Sequence, residues 1–452
     1  MSAVSRYDPH LRTLLALGLP LVGSHVAQFA LQITDTVMLG WYSVDALAAG
    51  VLGATVFFTL FIFGSGFANA VMPMVASAAA AARDDEVRRA TRMGLWLSAG
   101  FGVAVMAPMW WSEPILSMLG QSAQVAADTE GYLRIAGWGM VPALIVMVLK
   151  SYLAALGRTQ VVLWATVAAV FVNIGLNWMF IFGNAGAPEM GVRGAALASL
   201  LVQALSAAGL LAYAALLPGL RRYTLLARWW RPDWLAMRQV FRVGWPIGLA
   251  LLAESGLFAA TAIMMGWIGT RELAAHGIAI EITALVFMVH MGLSNAATVM
   301  VGRARGRGDA AALRDGAKVA VVVSLAVALV TVAVYLAVPG FLVGLFIAPD
   351  DPQRPAIIAI GTGLIVVAAL FQLADAAQVM AMGLLRGVQD TRGPMVIAAV
   401  SYWAVGIPAS YVLGITLGFE GPGIWAGLVI GLTLAAALLM RRFWRGPAAA
   451  QP

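Results

Sequence analysis

Cysteine is absent from the 452 residues, which excludes disulfides and thiolate metal sites before any fold is considered. Charge is scarce too. Asp, Glu, Lys and Arg make up 11% of the chain, against roughly 25% in soluble domains. His276 and His290 are too isolated for a metal site and are expected to make ordinary hydrogen bonds, His276 near the mouth of any cavity. No Gly-rich phosphate loop occurs, so work done by this chain needs an energy source other than its own ATP hydrolysis. No nucleophile–base pair has the spacing of an intramembrane hydrolase, so neither an enzyme nor a cofactor is expected.

What is present is apolar: 62% of residues are hydrophobic and the mean hydropathy is +0.88. The solvent implied is a bilayer. Twelve apolar runs begin near Leu11, Ala46, Met93, Tyr132, Val161, Gly191, Val240, Gly277, Ala317, Ile357, Pro394 and Gly423, which predicts an all-α polytopic membrane protein of about twelve transmembrane helices. Threaded in that way, one face collects Arg6, Arg12, Arg83, Arg88, Arg89, Arg92, Arg158, the clusters 221–238 and 303–318, Arg386, Arg392, and Arg441, Arg442 and Arg445. The other face holds Arg193, Arg271 and Arg354 beside Glu113, Asp128, Glu189, Asp350, Asp351 and Glu420. The positive-inside rule then puts both termini in the cytoplasm, and the chain is expected in the cell's inner (plasma) membrane. The formal charge of +7 reads as orientation and contact with anionic lipid, not as nucleic-acid binding. The first apolar segment is expected to be a span, not a cleaved leader.

Displaced by 226 positions, the chain matches itself: Gly18-Leu19-Pro20 meets Gly244-Trp245-Pro246, Gly40-Trp41 meets Gly266-Trp267, and Gly66 and Asn69 meet Gly292 and Asn295. A duplication this long in so apolar a chain marks a transporter of two bundles around a central site. Six spans per repeat return each half to the same side, so the repeats are parallel. The expected domains are a bundle over 1–218, a cytoplasmic linker over 219–238, a second bundle over 239–440 and a basic tail over 441–452. The linker, with Arg221, Arg222, Trp229, Trp230, Pro232 and Trp234, suits a strap lying at headgroup level or a plain loop.

Chemistry resides in the few polar groups at membrane depth. Asp35, Glu254, Glu281 and Asp375 lie in apolar runs, where an ionised side chain costs about 2.5–3.5 kcal/mol on the lenient insertion scale. His25, Gln28, Gln32 and Asp35 share one helical face, which is expected to line a cleft. Asn173 and Asn177 are one turn apart; with a carboxylate they suit a hard monovalent cation such as sodium, or a carboxyl that takes and loses a proton. Glu254 holds the repeat position of Gln28, so the halves differ in function. Gln372, Asp375 and Gln378 recur on one face, with Phe371 alongside. Lys150, near the end of the fourth span, is expected to snorkel.

Several stretches resemble the multidrug and toxic compound extrusion (MATE) family, in its bacterial NorM-like branch. They are Gln32-Ile-Thr-Asp-Thr-Val-Met-Leu-Gly40, Leu176-Asn-Trp-Met-Phe-Ile-Phe-Gly183, Glu254 with Phe258, Asp375-Ala-Ala-Gln378 and Leu385-Arg-Gly-Val-Gln-Asp-Thr391. The resemblance implies a V-shaped pair of six-helix bundles, monomeric, exporting amphipathic cations in exchange for protons or sodium. It places Asp35, Asn173, Asn177 and Ser199 at a cation site in the first bundle and Glu254 and Asp375 at an acidic site in the second. Gln28, Gln32, Glu281, Phe371, Gln372 and Gln378 are expected along the substrate cavity. Phe371 stands where related members often carry tyrosine, which favours protons over sodium. The 22 methionines and 15 tryptophans offer soft, aromatic surface to planar cations. A flippase for a lipid-linked sugar is the alternative; it calls for a strongly basic cavity, whereas the buried charges here are mostly acidic.

Overall fold

The computed structural model describes residues 3–118 and 120–446, with the side chains of residues 3–6 and of Val44 excepted. Arg6, as a side chain, and residues 447–452 of the expected basic tail lie outside the described residues. Among the described residues there is no strand. Twelve helices among the described residues are long and apolar enough to cross a membrane. They are α1 (Ala3–Tyr42), α2 (Val44–Ala80), α3 (Asp84–Ala104), α4 (Ala123–Ala155), α5 (Thr159–Phe182) and α6 (Val192–Leu216) in the first half. In the second half they are α7 (Trp234–Ile268), α8 (Thr270–Gly306), α9 (Ala310–Ala337), α10 (Arg354–Gly387), α11 (Arg392–Thr416) and α12 (Glu420–Arg445).

Most helices begin earlier than the apolar runs, and several of them start on a capped, polar turn that precedes the lipid-compatible stretch. Ser43 accepts from the backbone N–H of Ala46, Asp309 from that of Ala312, and Asp233 from that of Ala236. Asp84, Asp85 and Glu86 open α3, where carboxylates complement the helix dipole. Gly183 closes α5 at φ +71°, a left-handed turn that glycine adopts without strain.

The helices pack into two compact units, Gly23–Gly248 and Met1–Val22 with Leu249–Pro452. The boundaries fall inside α1 and α7 instead of in the linker at 219–238. Repeat-related prolines, Pro20 and Pro246, stand just before those boundaries, each removing one helical hydrogen bond. Repeat-related glycines explain the packing. In the unit 23–248, Gly66 of α2 lies against the backbone of Gly244 and Gly248, where a Cβ would collide with main-chain atoms. In the other unit, Gly292 of α8 lies in the same way against the backbone of Val22, and Gly18 faces Leu293 and Ala296. Close backbone approach at small residues is how membrane helices gain dispersion contacts when lipid supplies no hydrophobic drive.

The segment between the repeats is a strap docked on α3. A short helix, Pro218–Arg221, leads into turns. Buried Arg92 donates to the carbonyls of Ala227 and Arg228, and the Trp96 indole donates to the Trp229 carbonyl. Arg89 binds Asp233 bidentately. Trp230 and Trp234 stay exposed, as interfacial anchors do.

Candidate functional site

In the unit 23–248, three helices bring their polar residues together. Asn177 of α5 donates from Nδ2 to Asp35 Oδ1 at 2.6 Å, and Ser199 of α6 donates to Asp35 Oδ2 at 3.1 Å. The same Asn177 amide reaches Asn173 Oδ1 at 3.1 Å. Asn173 and Asn177 are fully buried, and Asn177 Oδ1 and Asn173 Nδ2 have no partner. This arrangement suits an ionised Asp35 accepting two hydrogen bonds. Turning the Asn177 amide would put its oxygen beside the carboxylate, a pairing of acceptors that only a shared cation or proton stabilises.

Two turns earlier on α1, Gln28 accepts from Lys150 of α4 at 3.2 Å. Both line a small cavity together with Thr166, Gln203 and Ser206. Lys150 therefore does not snorkel: its ammonium turns into the unit and meets an amide. Gln32, on the same face by sequence, is exposed.

In the other unit, Asp375 of α10 is 1% exposed and neither carboxylate oxygen has a hydrogen-bond partner. Gln372 beside it is fully buried with both amide atoms unpartnered. Gln378 donates to the Tyr402 hydroxyl at 2.7 Å. Glu254 of α7, Gln378 and Arg386 line a small cavity with Leu251, Phe287 and Met291. Arg386, expected among the basic residues of the cytoplasmic face, is buried. Phe371 is 3% exposed in an aromatic row, its ring edge-to-face with Phe258 and Trp425, and the Trp425 indole donates to His276 at 3.1 Å. His290 shares a hydrogen bond with Ser324. Glu281 is exposed on α8 and belongs to neither group.

Three participants escape sequence reasoning. Lys150 stands near the end of an apolar run, and position along one helix does not show which way its ammonium turns. Arg386 lies inside the 385–391 motif, but nothing in its spacing signals burial. Tyr402 sits on a π-helical stretch of α11, Val400–Gly406, whose wider turn no standard periodicity anticipates. Its phenol supplies an oxygen to the group of Gln378 and Asp375 that Phe371 lacks, so phenylalanine at 371 no longer counts against sodium.

The profile of the MatE family matches residues 20–179 and 246–412, two stretches that begin 226 residues apart, the spacing of the internal repeat. The probable multidrug resistance protein NorM of Rhizobium meliloti (strain 1021) is 43% identical over 439 residues, 97% of this chain and 94% of that protein. The protein of the same description from Pseudomonas putida is 36% identical over 436 residues, 96% and 94% of the two chains. In fold, a crystal structure of a eukaryotic MATE transporter superposes with a TM-score of 0.87 at 17% identity, over 98% of each chain. An outward-facing multidrug resistance MATE transporter of the MOP superfamily superposes with a TM-score of 0.86 at 21% identity, over 98% of this chain and 96% of that one. The chain belongs to the MatE family, as a NorM-like member of the multidrug and toxic compound extrusion transporters.

Proposed function

We propose that this protein is a monomeric secondary antiporter of the inner (plasma) membrane, both termini cytoplasmic, that exports amphipathic organic cations of varied structure in exchange for protons. The observation that carries the reading is Asp375: a buried carboxyl group with no donor on either oxygen, in the same unit as Glu254. An ionised carboxylate so placed costs several kcal/mol, and any monovalent cation that reaches it, inorganic or organic, removes that cost. Proton and drug then compete for the same negative charge, which is what an exchanger needs. The relatives described as multidrug resistance proteins support a broad substrate range.

Protons are preferred over sodium on the oxygens at hand. Arg386 lines the cavity of Glu254 without an ion pair to either acid among the described residues, and neither Asp375 oxygen has a partner. A proton needs a single oxygen, whereas sodium needs several arranged around it, and Arg386 repels a metal cation nearby. The flippase alternative has less support, because the bases at the two polar groups, Lys150 and Arg386, are matched or outnumbered by acids. Protein purified into sodium-free liposomes tests the reading: an imposed pH step drives accumulation or efflux of rhodamine 123. Transport that is negligible with the pH step and starts with a sodium step would assign the coupling to sodium, with Asp35, Asn173 and Asn177 as the leading site.

A further inference from the structure

Every carboxylate of the strap and of the first turn of α3 has an arginine of its own. Asp84 lies 3.9 Å from Arg222, Asp85 2.6 Å from Arg88 and Glu86 2.9 Å from Arg83, and Asp233 is held by Arg89. Asp233 is the only acid between positions 219 and 248. Four exposed arginines of that stretch are left over: the side chains of Arg228, Arg231, Arg238 and Arg242 have no hydrogen-bond or ion-pair partner among the described residues. Arg238 and Arg242 stand one turn apart on α7, on the face turned away from buried Ala236, Val240 and Val243. This surplus of positive charge comes with apolar surface. Trp230, Trp234 and Leu235 are 73%, 72% and 74% exposed, and Leu226 and Phe241 are exposed beside them.

The surface is held from beneath. Left-handed backbone at Thr224 (φ +42°) and Arg228 (φ +53°) turns the strap so that Tyr223 and Leu225 are buried while Leu226 and Trp230 are exposed. A β-branched residue keeps such an angle only where its neighbours impose it. Arg88 donates to Thr224 Oγ1 at 2.9 Å, and Arg92 and Trp96 hold the carbonyls of Ala227, Arg228 and Trp229. The arginines of α3 are thus spent on the fold, and those of the strap and α7 are presented outward. Apolar side chains fixed outward among unpaired guanidinium groups match a layer that has phosphates above and acyl chains below. We propose that the strap and the first turns of α7 form a binding site for an anionic glycerophospholipid. Arg238 and Arg242 take the phosphodiester, Arg228 and Arg231 add attraction for a headgroup of net negative charge, and Trp230, Trp234 and Leu235 lie along the glycerol and upper acyl chains. A choline headgroup brings its own cation and loses that attraction. The site depends on neither the coupling ion nor the drug.

The absence of cysteine makes the test direct, because Leu226→Cys gives the full chain one attachment point for an environment-sensitive fluorophore. The labelled protein is placed in nanodiscs of phosphatidylcholine doped, at equal mole fraction, with a spin-labelled quencher on either phosphatidylglycerol or phosphatidylcholine. Spin-labelled phosphatidylglycerol should quench about fivefold more effectively or better, the enrichment that a single arginine near a charged headgroup supports. Replacing all four arginines by glutamine should bring the two lipids within about twofold of each other, and replacing all four by lysine should keep the preference, since the attraction is to charge. Neither change touches Arg88, Arg89 or Arg92, so the strap stays anchored. Equal quenching by the two lipids in the parent protein, or an undiminished preference in the glutamine variant, overturns the site. A preference erased by excess soluble glycerol 3-phosphate would assign the arginines to a water-soluble phosphate compound and overturn the lipid. Self-quenching that grows with the number of chains per disc, without lipid preference, would give the surface to a second copy of the chain and overturn it as well.

Discussion

Neither Asp375 oxygen has a donor and Glu254 Oε1 has none, so under the proposed reading their charge is open to a passing cation. Asp375→Asn and Glu254→Gln keep the shape and delete the charge. Each should lower pH-driven efflux of rhodamine 123 at least about tenfold, with melting temperature unchanged or raised, because removing an uncompensated buried charge does not cost stability. Full efflux from both variants would remove the acidic pair from the mechanism. Asp233 works differently. The Arg89 guanidinium beside it, helped by the N–H of Ala236, holds its carboxyl below the usual carboxylate range. A depressed folded-state value means that its stabilisation is complete above the ordinary value of 3.8 and is lost only as pH falls through the lower, folded one. Strap anchoring should therefore be constant from about pH 5 to 8. Asp233→Asn should lower the melting temperature by the same amount at both ends of that range; a drop confined to one end would show another titrating group in the contact.

Helices α1 and α7 each contribute to both compact units, with Pro20 and Pro246 just before the boundary and a glycine-lined approach on the N-terminal side. The small residues there are the packing itself. Gly66→Leu and Gly292→Leu place a side chain into main-chain atoms of a neighbouring helix, a change that costs about 1–3 kcal/mol where repacking is easy and more against backbone. Both variants should show reduced folded yield and a lower melting temperature, whereas Gly100→Leu, where a Cβ meets open space, should not. Helix α11 shows a second use of irregularity. Its π-helical turn presents Tyr402 to Gln378 and Trp403 to the carbonyl of Ala253, next to Glu254, so the acidic group is fixed in position by three helices.

Across the molecule, the proposed exchange carries a voltage signature. One proton exchanged for one monovalent drug moves no net charge. A potential of 100 mV contributes about 2.3 kcal/mol per charge moved, so an electrogenic exchanger would respond steeply to voltage. Rhodamine 123 efflux in liposomes clamped with potassium and valinomycin should change less than about twofold between 0 and −100 mV. A tenfold or larger response would show that a second proton moves, with Asp35 as its carrier.

The sequence by itself determined the solvent, the twelve helices and the duplication, because hydropathy over some twenty residues and a fixed offset of 226 are local or translational properties that need no contacts to be read. It also singled out the acids at membrane depth, since a carboxylate in an apolar run is costly wherever the run ends up. Asn173 and Asn177 were legible from one-turn spacing, and Ser199 only from resemblance. The tertiary structure decided the partners. Lys150 turns inward to Gln28 because α1 and α4 pack there, Tyr402 brings in the phenol absent at Phe371 because a π turn rotates it into place, and Arg386 is buried beside Glu254 instead of facing the cytoplasm. It also drew the unit boundaries through α1 and α7, since glycine-lined backbone contact, not chain order, sets which helices pack together. Spacing along one helix says which side chains share a face, and only packing of several helices says which face meets which, and so whether a buried charge is paired.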